Sequence, residues 1–150
     1  MGVKRSKLAE GTYRFKADEV NYEYFESAEY KAKASELRGS VMLLGPMLGR
    51  FGRGTAPKPG GDKIGRRPLD THFVGFQKLG AEFSYDAEDS FYQINGANMK
   101  GSYIWMEEIS VTGTANVLMA AVLTKGQTTI YNAACEPYLQ QLCRELGPIF

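Results

Sequence analysis

Apolar and polar positions along the chain follow two periods, and the places where the period changes mark the expected elements. Between Gly11 and Val20, Tyr13, Phe15 and Ala17 alternate with Arg14, Lys16 and Asp18, which predicts a half-buried strand. Asn21 to Glu26 is aromatic and polar with no clean period. Ser27 then precedes Ala28 to Leu37, rich in Ala, Lys and Glu, which predicts a short exposed helix. After Arg38-Gly39-Ser40, Val41, Leu44, Met47, Leu48 and Phe51 recur at helical spacing up to Gly52. Ser40 is the expected N-cap of this helix, and Pro46 is compatible with it only in the first turn.

Gly54 to Lys58 reads as a short strand. Pro68 to Lys78 carries Leu69, Phe73, Phe76 and Leu79 on one face, with Pro68 as first helical residue and Gly80 as C-cap. His72, the chain's only histidine, is expected to pack or face solvent rather than to catalyse. Ala81 to Tyr85 and Phe91 to Ile94 read as strands joined by the acidic turn Asp86 to Asp89. Tyr103 to Met106 is a further strand with Trp105 half buried. A helix over Ala115 to Leu123, a strand over Gln127 to Asn132 and a helix from Glu136-Pro137 through Leu146 complete the reading.

Laid against itself, the chain repeats. Ser40-Val41, an apolar helix, a glycine turn, a strand and Arg67-Pro68 correspond to Ser110-Val111, an apolar helix, Gly126, a strand and Glu136-Pro137, at an offset of about 70 residues. The unit reads as a βαβαββ module beside a twin that stops after its second helix. Such a cut leaves helix faces and sheet edges uncovered, so the chain is expected to be a piece of something longer.

Composition narrows the function classes. The 150 residues suit one core, and a formal charge of +1 gives no field for a polyanion, so nucleic acid is not an expected partner. Cys135 and Cys143 show neither CxxC nor Cys/His spacing, which predicts reduced thiols in a cytoplasmic protein and no metal site. The apolar runs around Val41 to Leu48 and Val117 to Leu123 fall short of the roughly 20 residues that cross a bilayer, so no membrane association is expected. The densest chemistry lies in Pro59 to Asp70, which holds Gly60, Gly61, Gly65, Lys63, Arg66 and Arg67. Glycines allow close backbone approach to a ligand, cations suit phosphate and carboxylate oxygens, and a helix start behind them adds N–H donors. A solvated, arginine-capped surface loop is the competing reading.

Taken as a set, Arg38, Gly60-Gly61-Asp62-Lys63-Ile64-Gly65-Arg66-Arg67-Pro68-Leu69-Asp70, Ser110-Val111-Thr112 and Asn132-Ala133-Ala134-Cys135-Glu136-Pro137 resemble the UDP-N-acetylglucosamine enolpyruvyl transferases. These enzymes commit a nucleotide sugar to bacterial peptidoglycan, and through it serve cell shape and division. The likeness runs from about Gly11 to Leu146, and the GG-x-x-IG-x-RP-x-D string is specific to them within their superfamily. It implies an α/β fold (α+β in some schemes), an inside-out α/β barrel built of βαβαββ units and incomplete here. Residues from about 11 to 106 would form one unit with flanking strands, and residues from about 107 to 150 a shortened second unit.

The resemblance further implies transfer of the enolpyruvyl group of phosphoenolpyruvate to the 3-hydroxyl of UDP-N-acetylglucosamine, with no cofactor. Asp62 occupies the position of the family's usual loop cysteine, as the acid that protonates the methylene carbon. Arg67 would hold anionic oxygens. Arg38, the run Arg67, Pro68, Leu69, Asp70 and Thr71, and the run Glu108, Ile109, Ser110 and Val111 would line the nucleotide-sugar site; Glu108 departs from the family, which often has lysine there. An aspartate has a reference pKa of about 3.9 and lies among cations here, so proton donation is expected to depend on bound anions that neutralise them. A carboxylate is also a weaker nucleophile than a thiolate, which implies resistance to the family's epoxide antibiotic, fosfomycin.

The family's Lys-Asn pair from the start of the domain, and the aspartate and arginine of its second domain, have no counterpart in this chain. The isolated chain is therefore expected to be inactive and to need the remainder of the enzyme as partner, and its uncovered faces are expected to favour self-association. Two other readings stay open: a related transferase acting on shikimate phosphate, and a non-catalytic binding or structural module that keeps the fold.

Overall fold

A computed structural model describes residues 1–61, 65 and 68–147. The chain opens with an antiparallel hairpin, β1 (Lys4–Ala9) and β2 (Thr12–Lys16), exposed at every position. The alternation from Tyr13 to Lys16 does form a strand, but neither face of it is covered. Lys4–Ala9 lacks alternation, and its strand follows from pairing with β2 alone.

Helix α1 (Tyr22–Glu26) occupies the stretch that showed no period. Its aromatic residues are mediocre helix formers. The Asn21 side chain nevertheless accepts from the Tyr24 N–H at 3.0 Å, and Phe25 is buried against Tyr30 at a ring separation of 4.7 Å. Helix α2 (Ala28–Glu36) starts where Ser27 predicts, with the Ser27 hydroxyl accepting from the Tyr30 N–H. It is not wholly exposed, because Tyr30 and Ala34 join Phe25 and Met47 in a small apolar cluster.

A 3-10 turn, Arg38–Leu43, leads into α3 (Leu44–Phe51), whose first turn holds Pro46, where the N–H that proline lacks would have no partner within the α-helix. Ser40 does not cap this helix; it is buried inside the 3-10 turn, and the N-cap position falls to Leu43, which has no side-chain oxygen. Strand β3 (Arg53–Pro57) follows. Helix α4 (Asp70–Lys78) begins two residues after Pro68, because Leu69, at φ −104° and ψ 7°, is outside helical geometry. Strands β4 (Glu82–Asp86) and β5 (Phe91–Asn95) complete an antiparallel sheet in the order β3-β5-β4.

The remaining elements are β6 (Tyr103–Trp105), α5 (Val111–Ala121), β7 (Thr129–Tyr131) and α6 (Pro137–Leu146). Strands β6 and β7 pair in parallel, as a crossover through α5 requires. Trp105 is 54% exposed and stacks on Tyr131 at 4.5 Å. Helix α5 starts four residues before Ala115. Val111, Thr112 and Gly113 are poor helix formers, but the Ser110 hydroxyl accepts from the Gly113 N–H at 3.1 Å and Gly113 and Thr114 are buried. Pro137 stands in the first turn of α6, and Gly147 ends it at φ 91°.

Helices α3, α4 and α5 enclose the main core, in which Leu44, Phe76, Leu79, Ile104 and Val117 are fully buried. The contact between α3 and α5 is close enough that a Cβ on Gly45 would overlap the Asn116 carbonyl oxygen, and one on Gly49 would come within 2.8 Å of the Met119 carbonyl oxygen. At the centre lies the Asn116 side chain, 0% exposed. Its Oδ1 accepts from the Gly45 N–H at 2.7 Å, supplying the first-turn cap that Leu43 lacks. Its Nδ2 donates to the Val41 carbonyl at 2.9 Å and to His72 Nδ1 at 3.0 Å. Asn116→Leu would keep the volume but leave the Gly45 N–H and His72 Nδ1 unpaired in the interior; it is expected to cost about 2–4 kcal/mol in urea unfolding. A change within experimental error would show that the amide is not what joins the helices.

Candidate functional site

The glycine loop leaves β3 and runs past the end of α2. Two of its glycines are required by proximity: a Cβ on Gly60 would collide with the Ser35 carbonyl oxygen, and one on Gly61 would come within 3.2 Å of Arg38 Cβ. The loop backbone thus lies directly on the turn that carries Arg38. Arg38 in turn reaches across to the start of α4, where its Nη2 donates to the Pro68 carbonyl at 3.4 Å.

Between loop and helix lies an open cleft of about 750 Å³. Arg38, Gly61, Gly65, Pro68, Leu69 and Asp70 all stand in its wall. The opposite wall contains Phe73, Phe83 and Tyr92, with Phe73 packed 5.2 Å from Phe83 and 4.7 Å from Tyr92 between ring centres. The Tyr92 hydroxyl is raised above its ordinary pKa first by burial, then by Tyr85 and by the Asp70 charge. Asp62 and Arg67, the two residues assigned the acid and anion-holding roles, lie outside the described residues.

The second run sits beside the first. Thr71 Oγ1 donates to Glu108 Oε1 at 2.9 Å, and a Cβ on Gly113 would stand 3.0 Å from both Thr71 Cγ2 and Ser110 Oγ. The starts of α4 and α5 are therefore adjacent, with Ile109 at 69% and Val111 at 41% exposure on the outer side. Arg38, Pro68, Leu69 and Asp70 share the cleft, while Glu108 to Val111 adjoin it through Thr71. The lining also includes Lys58 and Gln77, which had not been singled out. Lys58 precedes the Pro-Gly-Gly run, and Gln77 lies one helical turn after Phe73; only their nearness to the loop and to the apolar face could have marked them.

His72 lies directly behind this arrangement. It is 3% exposed, and Asn116 donates to its Nδ1, so Nδ1 accepts and the ring proton resides on Nε2. Protonation would set an N–H against that donor. Burial chiefly, then the Arg38 charge, lowers its pKa to about 4, against an opposing pull from Glu108. The buried amide and the cleft are in this way connected through one ring.

The comparisons with known proteins follow the same lines. A sequence model of the family "EPSP synthase (3-phosphoshikimate 1-carboxyvinyltransferase)" matches residues 2–147. A protein of Bacteroides thetaiotaomicron named UDP-N-acetylglucosamine 1-carboxyvinyltransferase is 62% identical over 98% of this chain and 34% of its own length. A protein of the same name from Porphyromonas gingivalis is 56% identical over 97% of this chain, again 34% of its length. The chain thus spans about a third of the length of the curated relatives it matches. A solved structure of EPSP synthase from Acinetobacter baumannii shares the fold with a TM-score of 0.53 at 21% identity, over 73% of this chain and 25% of that one.

The His72 environment makes stability depend on pH. Its folded pKa of about 4 lies below the ordinary 6.5, so between those values the unfolded chain takes up a proton that the folded chain refuses. Stability from this source is complete above about pH 6.5 and falls as the pH drops toward 4, by at most about 3 kcal/mol. Urea unfolding at pH 7 and pH 4.5 should show a larger loss for the wild type than for His72→Gln. Equal losses would place the titration elsewhere.

Proposed function

The chain belongs to the EPSP synthase family, and on that basis we propose that it forms part of an enzyme transferring the enolpyruvyl group of phosphoenolpyruvate to the 3-hydroxyl of UDP-N-acetylglucosamine. The observation that carries this reading is the single cleft walled by Arg38, Gly61, Gly65, Pro68 and Asp70, in a chain 62% identical to a protein named for that reaction. The sugar 3-hydroxyl gives up its proton to a base outside this chain as its oxygen bonds to the central carbon of phosphoenolpyruvate and a second proton is delivered to the methylene carbon, giving a tetrahedral intermediate with a methyl group. Loss of a proton from that methyl then expels inorganic phosphate and leaves the enol ether.

In this scheme Asp62 delivers the proton to the methylene carbon, and Arg67 with Arg38 holds anionic oxygens, for which a planar guanidinium is suited. Pro68, Leu69, Asp70 and Thr71, with Glu108, Ile109, Ser110 and Val111, contact the nucleotide sugar. The remaining catalytic groups come from parts of the enzyme beyond the third represented here, so the isolated chain binds without turning over. The product serves peptidoglycan synthesis in the cytoplasm, and a carboxylate at position 62 gives resistance to fosfomycin. A second reading, action on a shikimate phosphate, draws support from the name of the matching family and of the solved structure.

Calorimetric titration distinguishes the two. UDP-N-acetylglucosamine should bind this chain and shikimate 3-phosphate should not, with Arg38→Ala weakening binding by at least about tenfold, as expected for a lost charge-assisted hydrogen bond. Preference for the shikimate ligand would favour the second reading. In the longer enzyme, Asp62→Asn should lower phosphoenolpyruvate turnover by at least about 100-fold, and wild-type turnover in that variant would remove Asp62 from the acid role. Mass spectrometry after incubation with fosfomycin should find no adduct at Asp62.

A further inference from the structure

Lys58 stands in the cleft wall as the first residue after β3, where the sheet passes into the glycine loop, and the scheme above gives it no part. Its backbone is fixed on both sides. The Lys58 N–H donates to the Ser90 carbonyl at 2.8 Å, which carries the pairing of β3 with β5 one residue past Pro57 opposite Phe91. Pro57 before it is buried, and Pro59 after it confines Lys58 to extended geometry. The side chain therefore starts from a defined position, although the residue itself is exposed.

Acids close by in the fold are engaged by other groups. In the turn that ends at Ser90, Asp86 accepts from the Glu88 and Asp89 N–H groups at 3.0 and 3.2 Å, and Asp89 pairs with Lys31 at 2.6 Å. The one carboxylate among the described residues of the cleft lining is Asp70, on α4. It does not take Lys58 either: among the described residues Lys58 forms no ion pair. The same lining carries Arg38, and Phe73, Phe83 and Tyr92 present rings from the other side. An uncompensated cation at an apolar wall is less screened than one in open water, and it favours an anionic ligand.

We propose that Lys58 binds the phosphate group of phosphoenolpyruvate, as a further binding residue for the transfer; the assignment rests on the enolpyruvyl reading above. Chemistry separates the cations of the site. A guanidinium is a planar fork matched to two coplanar oxygens, whereas an ammonium is a compact charge with three donors, suited to a phosphate met from one side. Lys58 takes the phosphate, and the arginines take the other anionic oxygens. In sequence Lys58 lies four residues before Asp62, so one short segment supplies the proton for the methylene carbon and the charge for the phosphate. The two acceptors considered above differ in the ring that they offer and not in the enolpyruvyl group that they receive, so the role of Lys58 is the same with either.

Steady-state kinetics of the longer enzyme, with UDP-N-acetylglucosamine and shikimate 3-phosphate in turn as acceptor, test this. Lys58→Met keeps the apolar stem and removes the charge. It should raise KM for phosphoenolpyruvate by at least about tenfold and weaken inhibition by added inorganic phosphate by a similar factor, as a lost charge-assisted hydrogen bond predicts. KM for the acceptor should stay within about twofold of the wild type, and Lys58→Arg, which restores the charge, should recover most of the loss. Lys58 is exposed, so far-UV circular dichroism should show an unchanged fold in both variants. An unchanged KM for phosphoenolpyruvate, an equal rise in both KM values, or weaker phosphoenolpyruvate binding with undiminished phosphate inhibition would overturn the assignment. Wild-type turnover with shikimate 3-phosphate alone would remove the nucleotide-sugar reading and leave Lys58 to be judged on the donor; turnover with neither acceptor would remove both.

Discussion

The buried side-chain amide of Asn116 is the point from which the rest of the structure is set. It lies where α3 and α5 approach too closely for any side chain at Gly45, and an approach of that kind brings backbone groups into the interior that require partners. One residue satisfies two of them, on α3 and on the 3-10 turn before it, and its remaining N–H pairs with the His72 ring on α4. An apolar residue there would fill the space without specifying how the helices meet. The amide fixes their mutual positions, because its acceptor and two donors cannot be interchanged without setting like against like.

That constraint extends to the cleft. The 3-10 turn held by Asn116 at Val41 carries Arg38, and the ring held at His72 belongs to the first turn of α4, next to Thr71. The wall of the cleft is therefore positioned by interior hydrogen bonds rather than by loop contacts alone. The loop adds a steric condition of its own, since Gly60 meets the end of α2 with no room for a Cβ. A cation on a short turn, glycine backbone across from it and a helix start thus border one cleft.

Much of this is legible in the sequence where the determinants are local. Ser27 and Pro137 each act at a helix start, and Gly80 and Gly147 act at helix ends, through atoms within a few residues of themselves. The reading fails where the partner is distant. Ser40 has the chemistry of an N-cap, but α3 takes its cap from a residue on α5, a relation no local pattern records. Helix α1 escapes notice because aromatic packing against Tyr30, rather than propensity, holds it. Pro68 suggests a helix start that Leu69 postpones, and the Pro68 carbonyl is instead taken by Arg38. At the site, the string from Gly60 to Asp70 points to its own location, whereas Tyr92 and Phe83 reach the cleft only because β4 and β5 fold back over α4.

The two hairpins show what periodicity does and does not encode. Tyr13 and Phe15 alternate with charged residues as Tyr92 and Ile94 alternate with polar ones, and both pairs belong to the same register. Alternation specifies which face of a strand is suited to burial; whether that face is covered depends on what else packs against it. For β5 the cover comes from β3 and α4 of the same unit. For β2 it must come from outside its own hairpin, so an identical pattern yields a core strand in one place and an open edge in the other. Half-burial inferred from period two is thus a property of the assembled unit, and in a repeating chain each copy of the pattern has to be matched to a covering element before it can be counted toward the core.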